Sequence, residues 1–164
     1  MGLPGVVRVR GQAAALEVQV EGCGTMLHSQ AMRQWVEANL TLAALVRVDL
    51  SRCTYMDSTF IGTLLGLKRL LEALPAGGLV LVCPSAECAR LLEQMRIGQI
   101  FAQEAAATAG SGWQEVCVPP EAIKTRAFQC NVVEAHQRLA DCPGPTGDRF
   151  RQLADDMSRE LKQQ

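Results

Sequence analysis

A chain of 164 residues with 48% hydrophobic content holds enough apolar material for one domain with a core and an appendage. With 20% charged residues, a net charge of −1 and no Lys/Arg run, nucleic acid is not an expected partner, and the apolar runs are too short to span a membrane. The seven cysteines form no Cys-x-x-Cys pair and the only histidines are His28 and His136, so neither a disulfide framework nor a metal centre is expected. The cysteines read as small apolar residues in a reducing cytoplasm. The first ten residues lack the apolar core of a secretory signal, and Gly2 is not followed by the Ser or Thr of an acylation motif.

Residues 6–9 and 15–20 are β-type runs joined by a turn at Arg10-Gly11-Gln12. In the second run Leu16, Val18 and Val20 alternate with Glu17, Gln19 and Glu21, which predicts a strand with one polar face. Residues 22–25, Gly-Cys-Gly-Thr, read as a loop. His28 or Ser29 then opens a helix to about Asn39, with Met32, Trp35, Val36 and Leu40 as its apolar stripe. Residues 45–50 form the next strand, and residues 58–74 a helix that Pro75-Ala76-Gly77-Gly78 stops. The unbroken apolar run 79–83 predicts a strand covered on both faces. Pro84-Ser85 starts a third helix with Leu91, Leu92 and Met95 inward, and residues 97–101 close the unit with a short strand. Strands and helices alternating with short links imply an α/β fold, a mixed β-sheet with helices packed against it.

Beyond this point the composition changes. Residues 104–112 read as a loose linker, residues 113–118 as a further short strand, and Pro119-Pro120 as the start of a helix to about Asp141. Its stripe is Phe128, Val132, Ala135 and Leu139, with His136 on the solvated side. After the break at Pro143-Gly144-Pro145, Thr146 or Asp148 opens a last helix with Phe150, Leu153, Met157 and Leu161 on one face. The expected division is therefore 1–103 for the α/β domain, 104–118 for a linker with an extra strand, and 119–164 for a helical hairpin. Neither hairpin helix can bury its stripe alone.

The junction Met56-Asp57-Ser58-Thr59 carries most of the functional information. It places two hydroxyls and a carboxylate where backbone N–H groups lack partners and the helix dipole favours negative charge. Ser58 reads either as a helix cap or as a phosphorylation site. Gly62 and Gly66, one turn apart, mark either close packing within the domain or a groove for a partner helix. His28 reads as a packed or capping residue. Cys53 has no His nearby in sequence, and there is no nucleophile elbow or phosphate loop. No catalytic residues and no cofactor are expected, and the chain does not read as an enzyme.

The segment Val48-Asp49-Leu50-Ser51, Cys53-Thr54-Tyr55-Met56-Asp57-Ser58-Thr59 and Ile61-Gly62, Leu64-Leu65 resembles the STAS domain of the anti-sigma factor antagonist family. Leu79 to Ser85, Leu91-Leu92 and Ile97 to Phe101 are similar to that family's fourth strand, third helix and closing segment, so the resemblance covers residues 5 to 103. It implies a STAS-like fold and a cytoplasmic bacterial regulator of transcription that works by protein–protein interaction. On this resemblance Ser58 is the phosphate acceptor, and Asp57, Ser58, Thr59, Phe60, Gly62, Thr63 and Gly66 form the partner-binding surface. The implied partners are an anti-sigma factor that is also a serine kinase, and a phosphatase; a second copy of the chain could also pair with it. Two positions depart from the family pattern: Phe60 stands where Gly is usual, and residues 22–25 lack the usual acidic residue. The other reading is a STAS scaffold that is never phosphorylated, such as an accessory subunit of a transporter or signalling complex.

Overall fold

The computed structural model describes residues 4–40 and 44–163, so Met1 to Leu3, read above for a signal or acylation motif, lie outside the described residues. The element order is β1 (Val6–Gly11), β2 (Ala15–Gly24), α1 (Met26–Ala38), β3 (Leu45–Met56), α2 (Ser58–Glu72), β4 (Gly78–Val82), α3 (Ala86–Gln94), β5 (Ala102–Glu104), β6 (Gln114–Glu115), α4 (Arg126–Ala140) and α5 (Pro145–Gln163). The sheet has the order β5-β4-β3-β2-β1-β6. β1 pairs antiparallel with β2 and β6, while β2, β3, β4 and β5 run parallel. The mixed α/β sheet expected from the sequence is present.

Strand periodicity sorts the side chains by face. Val7, Val9, Leu16, Val18, Val20, Val46, Val48, Leu50, Leu79 and Leu81 share one buried face with Met32 and Val36 of α1, Leu64 and Leu71 of α2 and Leu92 of α3. The opposite face carries Arg8, Arg10, Glu17, Glu21, Arg47 and Asp49, which the strand register brings side by side. The α4–α5 hairpin adds an outer layer, packed mainly on α2.

Several boundaries differ from the sequence reading. β2 does not stop at Val20 but continues to Gly24; a register shift and the left-handed Gly22 (φ 72°) absorb the irregularity. β3 runs on from Leu50 to Met56 beside it. α1 begins at Met26, ahead of both residues expected to open it. Residues 98–100 form a 3-10 turn, so β5 starts only at Ala102. The Pro119-Pro120 segment is likewise a short 3-10 turn, Pro120–Lys124, and Thr125 starts α4 afresh by accepting the Phe128 N–H at 3.1 Å. α5 opens at Pro145, before Thr146 and Asp148.

Residues 105–112, which follow β5, carry no regular secondary structure. The segment crosses the charged face of the sheet and is tied to it. The Arg10 guanidinium donates to the carbonyls of Ser111 (3.0 Å) and Ala109 (2.7 Å), and lies 4.2 Å from the Trp113 ring centroid. Arg10 also pairs with Glu17, whose other oxygen accepts from Arg47 at 2.9 Å. Arg47 in turn reaches Glu104 at 2.9 Å. Asp49 accepts from Thr108 and from the Ser51 N–H (2.9 Å). Burial pushes the Asp49 carboxyl up, but these hydrogen bonds outweigh it and hold the group below its usual range.

The Arg10–Glu17 pair is buried, and Arg10 also anchors the crossing segment. Removing one member of a buried pair leaves the other poorly compensated. Arg10→Ala should therefore cost about 3 kcal/mol in urea unfolding. It should also expose the 105–113 segment to limited proteolysis.

Candidate functional site

The site forms where β3 delivers the chain to α2. Asp57 is extended (φ −82°, ψ 170°), and its Oδ1 accepts the Phe60 N–H at 2.8 Å, which caps α2. Its Oδ2 accepts the Met26 N–H at 2.8 Å, the first residue of α1. The Asp57 N–H donates to the Gly24 carbonyl at 3.0 Å, tying the end of β2 into the same junction. One carboxylate thus serves two helix starts, where the negative charge also meets two favourable dipoles. Thr25, which precedes α1, makes no side-chain capping bond, and its hydroxyl oxygen has no partner.

With Asp57 capping α2, the Ser58 hydroxyl is not needed for that task. Ser58 Oγ lies 3.0 Å from His136 Nε2 of α4. The other ring nitrogen, Nδ1, lies 2.8 Å from the Val132 carbonyl and must donate to it, which leaves Nε2 as the acceptor of the Ser58 hydroxyl. His136 is therefore not solvated as the sequence suggested: it is 6% exposed and its ring lies 5.8 Å from that of Phe150. Its burial follows from α4 turning that side towards the start of α2. Ser58 itself is half-buried and opens on a cleft of about 520 Å3 whose wall includes Tyr55, Leu91, Arg149, Phe150 and Leu153.

The residues expected at a partner surface divide into two groups. Asp57, Ser58 and Gly66 are partly accessible. Thr59, Phe60, Gly62 and Thr63 are buried. The Phe60 ring is fully enclosed and lies against Gly24, where a Cβ would come within 3.0 Å of it. It neither contacts solvent nor obstructs access to Ser58. Gly62 is covered by α4 so closely that a Cβ would sit 2.2 Å from the Ala135 carbonyl oxygen. The helix laid against the two glycines belongs to the chain itself. Thr63 donates to the Thr59 carbonyl (2.8 Å) and accepts from Asn131 of α4 (3.4 Å). Arg33–Glu134 (2.5 Å) and Arg69–Asp141 (3.1 Å) pairs flank the same interface.

The remaining candidates stay apart from this cluster. His28 follows the start of α1 rather than capping it; burial pushes its imidazole down, against the opposing charges of Glu115 and Asp57, and its Nδ1 has no partner. A hydrogen bond with Cys88, and then burial, push the Cys53 thiol up, so it is no reactive thiolate. Among the described residues no group of three or more His, Cys, Asp or Glu is placed to hold a metal ion, and no helix is long and apolar enough to cross a membrane.

A family model described as Mlab, STAS domain matches residues 7–102, more than half of the chain. The chain belongs to the STAS domain family. Among solved structures, that of the anti-sigma factor antagonist SpoIIAA in its unphosphorylated form is similar, with a TM-score of 0.49 and 20% identity over 60% of this chain and 88% of that one. No curated protein matches the chain. The STAS match ends at the start of β5, so α4 and α5, with His136, lie outside it. Sequence reasoning missed His136 because its partner lies 78 residues away. The one local signal was a histidine next to the buried-stripe residue Ala135.

Three substitutions test this geometry. Asp57→Ala removes both caps and should lower stability by about 2 kcal/mol in denaturant unfolding, with α1 and α2 fraying together in hydrogen exchange. Gly62→Ala should drive α4 off α2 and lower Tm. Gly66→Ala, whose Cβ would meet only the Arg138 side chain at 3.7 Å, should be neutral or stabilising by up to about 1 kcal/mol.

Proposed function

We propose that this STAS protein is a partner-switching regulator of the anti-sigma factor antagonist type, with Ser58 as its phosphate acceptor. The observation that carries this reading is the division of labour at the start of α2. Asp57 does the capping, so Ser58 holds a hydroxyl that the helix does not require, at the edge of an open cleft. A serine kinase would transfer the γ-phosphoryl group of ATP to Ser58 Oγ, releasing ADP, and a phosphatase would remove it by hydrolysis. The phosphate adds nearly two negative charges at this junction without removing a capping bond, so it changes recognition rather than folding. The partner is a protein, an anti-sigma factor that doubles as the kinase, and the setting is bacterial and cytoplasmic. Residues 1–103 would act as the switching domain and 119–164 as an accessory hairpin joined through 104–118.

The role is regulatory rather than catalytic. The Ser58–His136 pair has a backbone carbonyl, not a carboxylate, behind the imidazole, and this does not supply the charge stabilisation of a hydrolytic triad. The same hydrogen bond supports a second reading. A serine whose hydroxyl already has a fixed partner can serve as a permanent tether in an unphosphorylated STAS scaffold, as in an accessory subunit of a transporter or signalling complex.

Intact mass and phosphopeptide mapping of the protein from its own cells, with and without phosphatase, separates the two. The switch predicts a phosphatase-sensitive phosphate on Ser58 in part of the population, and weaker capture of a partner kinase by Ser58→Asp than by Ser58→Ala. No phosphate in growth or stress, with equal capture by both variants, would leave the scaffold.

A further inference from the structure

We propose that His136 and Arg149 form a phosphoserine-binding site within the chain, so that a phosphate on Ser58 clasps the α4–α5 hairpin to α2. This rests on the reading of Ser58 as a phosphate acceptor and names how that site is regulated. In the unphosphorylated state a single neutral hydrogen bond joins Ser58 to the hairpin, with Nε2 of His136 as acceptor at 3.0 Å. Phosphorylation replaces the hydroxyl proton, so Nε2 loses its donor and faces phosphate oxygens instead. The ring cannot turn away easily. Nδ1 is committed to the Val132 carbonyl at 2.8 Å, and Phe150 packs against the ring. One proton held between Nε2 and a phosphate oxygen restores the bond in a charge-assisted form, about twice as strong as a neutral one.

Arg149 supplies the second cation. It lines the same cleft as Ser58, which has room for a phosphate group. Its neighbours Arg151 and Arg159 pair within α5 with Asp148 and Asp156. Among the described residues, Arg149 has no carboxylate at ion-pair distance; its guanidinium lies 5.9 Å from the Phe150 ring centroid. Asp57 opposes the added charge, but both its oxygens already accept backbone N–H groups, Phe60 on one side and Met26 on the other.

The location of the cations sets the direction of the effect. Both belong to the hairpin, whereas the phosphate belongs to α2. Their attraction therefore stabilises docking of one on the other. The phosphorylated form keeps Gly62 and Thr63 covered, and a partner that needs the outer side of α2 must first displace a clasped hairpin. The unphosphorylated form offers the weaker, neutral latch.

The test uses the full chain with phosphoserine installed at position 58 during translation, so no kinase is required. Hydrogen exchange of α4 and α5 amides is compared with the Ser58 protein. Protection should rise about tenfold on phosphorylation. The gain should shrink in His136→Gln and in Arg149→Gln, the latter a change in a solvent-exposed residue that leaves the fold intact. Equal or faster exchange in the phosphoserine protein, or a gain that survives both substitutions, would overturn the proposal. That result would leave the switch reading standing, since that reading depends on phosphate in cells. A clasp seen in vitro with no phosphate in cells would do the reverse.

Discussion

The junction at Asp57 is the constraint on which the rest of the site depends. Its carboxylate satisfies the starts of α1 and α2, and its own N–H fastens the end of β2. A helix start left without such partners would carry unsatisfied donors into a partly buried region. With a single side chain answering for both helices, their origins stay a fixed distance apart. Everything downstream in α2 inherits that registration: Ser58 lands in the first turn at the mouth of the cleft, and Phe60 turns inward beneath Gly24.

The second organising contact is the hairpin on α2. A helix packed only against a sheet would keep a polar outer face, yet α2 buries residues almost all round, including Thr59, Gly62 and Thr63. Its composition makes sense only with α4 above it. Gly62 permits the backbones to approach, and the Asn131–Thr63 hydrogen bond satisfies polar groups that the approach dries out. The interface then ends in ion pairs at its rim and in the Ser58–His136 bond at the N-terminal end of α2.

What could be read in the sequence was local. The alternation in residues 16–21, the apolar run of β4 and the Asp-Ser-Thr junction each carry their periodicity or capping chemistry within a few residues, and the structure has those elements where the pattern places them. The departures are non-local. β2 and β3 extend past their apolar cores because they pair with each other beyond Gly22. The ties of the 104–112 segment are not legible in its own residues, which are mostly small and offer backbone carbonyls and one threonine, while the groups that hold them, Arg10, Arg47 and Asp49, lie far back in the sheet. His136 looked solvated because nothing adjacent to it announces Ser58. The break at Thr125 is the one miss that local chemistry could have caught, since a threonine three residues ahead of an apolar stripe residue is a helix start.

The sheet closes with very short strands, three residues in β5 and two in β6. Long parallel strands with bare edges invite other chains to add to them. Here the long strands β2 and β3 lie inside the sheet, and the outermost ones offer too few backbone groups to template a partner strand. What the molecule leaves open to its surroundings is thereby less an unpaired sheet edge than the side chains of its helices.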